Sequence, residues 1–280
     1  VKTFSIGFDD PDYNELREAR EVAAHFGAQH EELVVKPSVI EMLPELVKAF
    51  GEPFADSSAI PTFCVSRMTR EHVTVALSGD GADELFSGYD RYHAMELSKW
   101  VAPISGLIPS SALVGGGDQR SSRSRLQRWL RGSKLSPWER YRTWIGGEVY
   151  SSAAEMMKPE WKAILEREKQ KDLNHAFFDA RRESDWIQRL SYLDFYTYLP
   201  GDLLVKTDIS SMQNSLEVRA PFLDHRIVEF AWSLKTPFKR IGCEGKRLLR
   251  QAYSDRIPAS VFQRKKKGFG VPLCKWFRAS

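Results

Sequence analysis

The spacing of apolar and polar positions changes several times along the first third of the chain. Lys2 to Phe8 is a short β-rich run closed by the turn signal Asp9-Asp10-Pro11. From Asn14 to Phe26, residues Leu16, Ala19, Ala23 and Phe26 recur at helical spacing, and Gly27 ends the run. Gln29 to Val35 predicts a second strand. Val39 to Phe50 predicts a helix stopped by Gly51. Asp56 to Arg70 predicts another, with Ser57 or Ser58 as cap and Phe63, Val65 and Met68 as apolar positions. Val73 to Leu77 is apolar and β-branched, the pattern of a buried parallel strand. Strand, helix, strand, helix, helix, strand predicts a doubly wound parallel sheet.

Beyond about residue 92 no segment reads as a strand. Arg123–Arg131, Pro137–Trp144, Ala153–Gln170, Trp186–Leu199, Pro221–Leu234 and Lys246–Tyr253 all have helical patterning. The expected organisation is α/β over 1–92 and mainly helical over 93–280, within one domain. No internal repeat or Gly/Ser-rich linker separates the two parts. The longest uncharged run, Trp100 to Gly117, is broken by Pro103, Pro109 and several Ser and Gly, so it predicts a connection and not a membrane span.

Composition narrows the class. With 42% hydrophobic and 28% charged residues in 280, the chain is globular, which excludes collagen-like, coiled-coil and largely disordered readings. A net charge of +4 is too small to argue for nucleic acid. Three dispersed cysteines, Cys64, Cys243 and Cys274, give neither a disulfide framework nor a zinc spacing, which suggests a reducing, cytoplasmic compartment. The six histidines show no HExxH or HxxxH spacing. Arg120, Arg123, Arg125, Arg128 and Arg131 read as a solvated helix face in preference to a nucleic-acid patch. The start at a strand and the abrupt end after Trp276-Phe277-Arg278 suggest an excerpt of a longer protein.

Candidate chemistry concentrates in Val73–Tyr89, VTVALSGDGADELFSGY. A strand runs into Ser78-Gly79-Asp80-Gly81 and a helix opens near Ala82. Open α/β sheets bind ligands at the carboxyl ends of their strands. The glycines allow a tight turn and close backbone approach, and free N–H groups favour anions. Asp80, Asp83 and Glu84 would repel bare phosphate, but Mg²⁺ held by one or two carboxylates can clamp a polyphosphate. Helix capping explains the same acids without any ligand, with Asp80 as N-cap and Asp83 and Glu84 in the first turn.

The stretch SGDGADELFSGYDRY resembles the second signature of the glutamine-hydrolysing asparagine synthetases, in their C-terminal synthetase domain. TFSIGF at 3–8, GEPFADSSAIPT at 51–62, SLEVRAPFLDHRIVEFA at 215–231 and RKKKGFGVP at 264–272 resemble further family stretches in the same order. The resemblance covers nearly the whole chain. It implies an adenine nucleotide α-hydrolase-like fold of the pyrophosphatase-loop, Rossmann-like kind. It implies a reaction in which ATP adenylates the side-chain carboxylate of aspartate, Mg²⁺-pyrophosphate leaves, and ammonia attacks β-aspartyl-AMP. Ammonia would come from glutamine through an N-terminal glutaminase domain in cis. A homodimer is compatible with this reading; neither nucleic acid nor membrane is an expected partner.

By the same resemblance, Lys266 is the catalytic lysine that stabilises charge on the phosphoryl oxygens. Taken alone, Arg264–Lys267 is an ordinary solvated basic run. Asp80 stands where the family has an acid near the adenylate, as proton acceptor or ammonium partner for ammonia; aspartate is one methylene shorter than glutamate. Asp83 matches the holder of Mg²⁺-pyrophosphate, with Glu84 beside it. Ser78, Gly79 and Gly81 lie at the nucleotide edge. Ile6 would touch adenine while also serving the core. Lys206 and Asp208, in LLVKTDISSM, could line the aspartate pocket. Glu217, Arg219 and Asp224 recur in the family's EVRAPFLDH-like stretch, where buried Glu–Arg pairing that shapes the helical lobe is read in preference to catalysis. Ser87 replaces a more usual glycine. The family's Ser-Gly-Gly-x-Asp-Ser loop and glutaminase cysteine are absent from these 280 residues. Two other readings stand beside this one. The first is a synthetase closing another amide, of the β-lactam synthetase or lasso-peptide cyclase type. The second is a non-catalytic nucleotide-binding module.

Overall fold

The structure, a computed structural model, describes residues 1–36, 41–103, 122–147, 157–169, 173–181, 184–263, 270–272 and 276. They form two compact units. The first comprises Val1–Phe86, Thr197–Leu234 and Lys246–Ser280; the second comprises Ser87–Tyr196 and Lys235–Gly245.

In the first unit β1 (Lys2–Phe8) and β2 (Gln29–Val35) pair in parallel, from Lys2↔Gln29 to Phe8↔Val35. Helix α1 (Leu16–His25) makes the crossover. Asn14 shapes its entry: Nδ2 donates to the Phe8 carbonyl at 2.8 Å, and Oδ1 accepts from the Leu16 N–H at 3.0 Å. Gly7 makes room for this, since a Cβ there would lie 2.6 Å from Asn14 Oδ1 and from Leu16. Helices α2 (Leu43–Phe50) and α3 (Ala59–Arg70) follow, then β3 (Val75–Leu77) and the short α4 (Ala82–Phe86). Ile6, Phe8, Val35, Leu46, Ile60, Phe63 and Cys64 form the core, joined by Val271 and Trp276. Apolar area withdrawn from water at this scale drives assembly of the unit.

Two expectations need correction. The doubly wound sheet is, among the described residues, two separate two-stranded parallel sheets, β1–β2 and β3–β4, where β4 is Glu217–Arg219. The run after residue 92 therefore does contain a strand. Its three residues have no alternation to read, and pairing with β3 is what makes them extended. Nor is β3 buried: Val75 is 40% and Leu77 73% exposed. An apolar run becomes a covered strand only where neighbours flank it, and among the described residues β3 is paired on one edge alone.

The second unit is helical and includes Asp90–Val101, Ser122–Ser133, Pro137–Arg142, Pro159–Lys169, Leu173–Asp179, Trp186–Tyr196 and Thr236–Lys239; Thr197–Leu234 and Lys246–Ser280, placed by the sequence in the helical part, fall in the first unit. The first part of the helix expected from Ala153, most of the Trp100–Gly117 run, Arg120 and Cys274 lie outside the described residues. Pro137–Arg142 starts with a capping box, Ser136 Oγ accepting from the Glu139 N–H while the Glu139 carboxylate accepts from the Ser136 N–H. Tyr92, Met95, Trp138, Tyr141, Phe178, Ile187, Leu190 and Leu193 form its core. Within it the fully buried Asp194 carboxylate receives Arg91 Nη2 at 2.6 Å, Tyr92 OH at 2.7 Å and Tyr141 OH at 2.6 Å. A carboxylate taken from water survives there because three donors replace its hydration. No helix of the described residues is long and apolar enough to cross a membrane.

Ser87 is buried at φ +55, and its carbonyl accepts from Arg240 Nη1 at 2.9 Å. Arg240 Nη1 also reaches the Tyr89 carbonyl at 3.0 Å, so one buried guanidinium fixes this left-handed bend. A left-handed conformation costs an L-residue roughly 1–2 kcal/mol. Ser87→Gly is expected to raise stability by up to about 1 kcal/mol, and the β-branched Ser87→Val to lower it by at least as much, in urea denaturation.

Candidate active site

The turn after β3 is fixed from two sides. The Ser78 N–H donates to the Arg219 carbonyl at 2.8 Å, extending the β3–β4 pairing by one bond. Gly81 has φ +87, and a Cβ there would meet Leu223 Cδ2 at 2.3 Å. Glycine is required on both counts. Gly79, by contrast, faces open space. Helix α4 has only five residues, so its macrodipole adds little. Attraction for an anion here falls to the free N–H groups of the turn and to side chains.

The three acids expected to act together point to different partners. Asp80 Oδ2 accepts from Ser78 Oγ at 2.9 Å and from Thr207 Oγ1 at 3.3 Å, so its carboxylate is held by hydroxyls and not by an α4 N–H, as capping would require. Asp83 Oδ1 lies 3.1 Å from Lys246 Nζ. Glu84 is turned inward, at 1% exposure. Among the described residues no group of three or more His, Cys, Asp or Glu could hold a metal ion. One carboxylate facing a lysine fits a Mg²⁺ ion that arrives on a polyphosphate, because Mg²⁺ keeps waters and takes most other ligands from phosphate oxygens.

Lys246 was not legible as a site residue. It occupies the left-handed region at φ +54, its N–H donating to the Phe86 carbonyl at 2.9 Å, one residue before the helix Arg247–Ala252. A non-glycine residue in that region is uncommon and concentrates at functional sites. In the sequence Lys246 is only the first residue of the helical run Lys246–Tyr253.

Lys206 sits on the helix Leu204–Met212, its side chain only 9% exposed. Its ammonium donates to Asp56 Oδ2 at 2.5 Å and Ser58 Oγ at 2.7 Å. Asp56 also accepts from the Ser58 N–H and hydroxyl at 2.9 and 2.7 Å. Burial alone would raise the Asp56 pKa; hydrogen bonds from Lys206 and Ser58 outweigh it and hold the carboxyl below its ordinary 3.8. Asp208, two residues on, is exposed. Ile6 is in the core and also lines a cavity of about 740 Å³ beside Thr3, Phe4, Ala19 and Phe26, whose lining includes none of Ser78 to Glu84. Glu217 and Arg219 do pair, at 2.7 Å, but on an exposed strand and not in the interior. The cause is again β3–β4, a sheet that no described residue covers at Glu217 and Arg219, which are 54% and 64% exposed in their side chains. Lys266, with the rest of Arg264–Lys267, lies outside the described residues.

A glycine turn carrying acids at the carboxyl end of a parallel strand, opposed by a lysine, stands where open α/β sheets bind their ligands. The chain belongs to the asparagine synthase family, whose model matches residues 1–280. It is 33% identical over 284 residues to asparagine synthetase [glutamine-hydrolyzing] 1 of Bacillus subtilis, covering 99% of this chain and 43% of that protein. It is 32% identical over 289 residues to a putative asparagine synthetase [glutamine-hydrolyzing] of Mycobacterium tuberculosis, and 25% identical over 292 residues to the human asparagine synthetase [glutamine-hydrolyzing]. The chain spans roughly two fifths of the length of these first relatives, 43% and 42%.

The Lys206–Asp56 pair has a measurable signature. Lys206→Met leaves a partly buried carboxylate uncompensated and is expected to cost about 3 kcal/mol at pH 7, whereas Lys206→Met with Asp56→Asn is expected to recover part of that loss. The Asp56 pKa is lowered on folding, so the pair's contribution is complete above pH 3.8 and disappears as pH falls through the folded value. Denaturation midpoints of wild type and Asp56→Asn should therefore converge in acid; a constant gap across that range counts against the pairing.

Proposed function

We propose that this chain is the synthetase part of an ATP-dependent, amide-forming ligase that converts aspartate to asparagine, with ammonia released from glutamine by a glutaminase domain in the same protein. Family membership gives the class. The observation that carries the site assignment is the Asp83–Lys246 pair, 3.1 Å apart, beside a glycine turn whose Gly79 backbone is open.

The chemistry follows from charge. The β-carboxylate of aspartate attacks the α-phosphorus of ATP, the bond from that phosphorus to the α,β-bridging oxygen breaks, and pyrophosphate departs with that oxygen. Negative charge builds on phosphoryl oxygens, which fixed cations stabilise. Lys246 is one such cation, and Lys266 is proposed as a second. Asp83 would hold a Mg²⁺ ion that comes with the nucleotide and neutralises the leaving group; inward-turned Glu84 supports the α4 start in preference to ligating. Ser78, Gly79 and Gly81 let the turn approach the nucleotide, and Ile6 is proposed to touch adenine. Ammonia then attacks the activated carbonyl of β-aspartyl-AMP and AMP leaves. The nitrogen sheds a proton, for which Asp80 is the proposed acceptor. Lys206 acts from behind, holding its helix through Asp56, while exposed Asp208 remains the proposed contact to aspartate.

The test is aspartate-dependent exchange of pyrophosphate into ATP by the intact protein. Exchange requiring both aspartate and Mg²⁺ is expected. Asp83→Asn and Lys246→Met are each expected to lower it by roughly 10²-fold, the scale for losing one charge-stabilising group, and Lys266→Ala to abolish it. Exchange driven by other carboxylic acids but not by aspartate would reject the substrate, and unaltered exchange in Lys266→Ala would reject that residue's role.

A further inference from the structure

Two adjacent residues of the helix Leu204–Met212 reach different places in the first unit. Lys206 is tied to Asp56 and Ser58 in the segment before α3. Thr207 turns roughly 100° further round the helix axis and donates its hydroxyl to Asp80 Oδ2 at 3.3 Å. Ser78 Oγ donates to that same oxygen at 2.9 Å. Asp80 Oδ1 has no hydrogen-bond donor among the described residues. The carboxylate thus has one oxygen occupied twice and one left open, on a side chain with only two rotatable bonds.

Threonine suits this task. Its branched Cβ restricts χ1, so the hydroxyl position is set by the helix. In helices that hydroxyl commonly folds back on a carbonyl one turn earlier; here it is directed across to the glycine turn. The anchoring of Lys206 by a buried ion pair fixes the rotation of the helix about its axis, and hence the place of the next side chain.

We propose that Thr207 is a positioning residue for Asp80: together with Ser78 it pins Oδ2, so that Oδ1 is the oxygen presented to the incoming amine. This deepens the proposed function and rests on it for the identity of the amine.

The experiment uses the intact protein with Thr207→Val, which keeps shape and removes the hydroxyl, and Thr207→Ser, which restores it. Two rates are compared: aspartate-dependent ATP–pyrophosphate exchange, which does not involve the amine, and asparagine formation with ammonium chloride. Thr207→Val is expected to lower kcat/KM for ammonium about tenfold more than it lowers exchange, the scale of one hydrogen bond to a charged group, and Thr207→Ser to recover most of the difference. Equal losses in both rates, or none, overturn the proposal. A second measurement is independent of activity. The shift in urea midpoint caused by Thr207→Val is compared in wild type and in Asp80→Ala. Different shifts are expected, and identical shifts show that the two side chains do not interact. Absence of aspartate-dependent exchange in wild type would instead remove the proposed substrate, with the midpoint comparison still deciding whether Thr207 holds Asp80.

Discussion

A lysine ammonium drawn out of water must be met by a carboxylate nearby, and in this chain that requirement organises the site. Lys206 can be buried only because Asp56 and Ser58 receive it. Satisfying it locks the helix Leu204–Met212 to the segment before α3, and the next residue of that helix then meets the turn after β3. A helix rich in buried polar residues, with Ser210 and Ser211 also inside, would otherwise have little reason to lie in one orientation. Ionic pairing of this kind adds little net stability over a well-packed apolar contact. Its value lies in direction: it selects one rotation of the helix.

The signature SGDGADELFSGYDRY serves two purposes, divided at Phe86 and Ser87. The part through Phe86 forms the turn and α4 and contributes Asp80 and Asp83 to the candidate site. The part from Ser87 onward belongs to the helical unit, where Arg91 and Tyr92 satisfy the buried Asp194, and Arg240 holds the carbonyls of Ser87 and Tyr89. The Tyr89 ring lies 3.7 Å from the Arg91 guanidinium carbon, stacked against the charge it helps to shield. A dense motif is therefore not uniformly chemical. Half of it secures the bend by which the chain leaves the turn.

Much of this was legible before any coordinates. The β1–α1–β2 unit follows from a β-rich run closed by a turn signal, helical spacing and the Gly27 stop, and the glycine turn with its acids stands out from its residue types alone. What could not be read depends on distant partners. Three residues, Glu217 to Arg219, become a strand only against β3. The apolar Val75 and Leu77 look like core residues, yet no local pattern can say whether a second neighbour covers them. The full burial of Glu84 and the partial exposure of Asp83 differ by one position on a five-residue helix, a distinction set by what packs beside it. Lys246 and Thr207 carry no motif of their own; each gains meaning from a carboxylate more than a hundred positions away.

Lys246 also sets a limit on how far this fold can be improved by engineering. Its backbone is held at φ +54 by a bond to Phe86, a geometry that glycine or asparagine adopts with less strain. A screen that rewarded heat resistance alone would favour such replacements and discard the ammonium opposite Asp83. Under the proposed function, heat resistance and turnover would therefore pull in opposite directions at this residue.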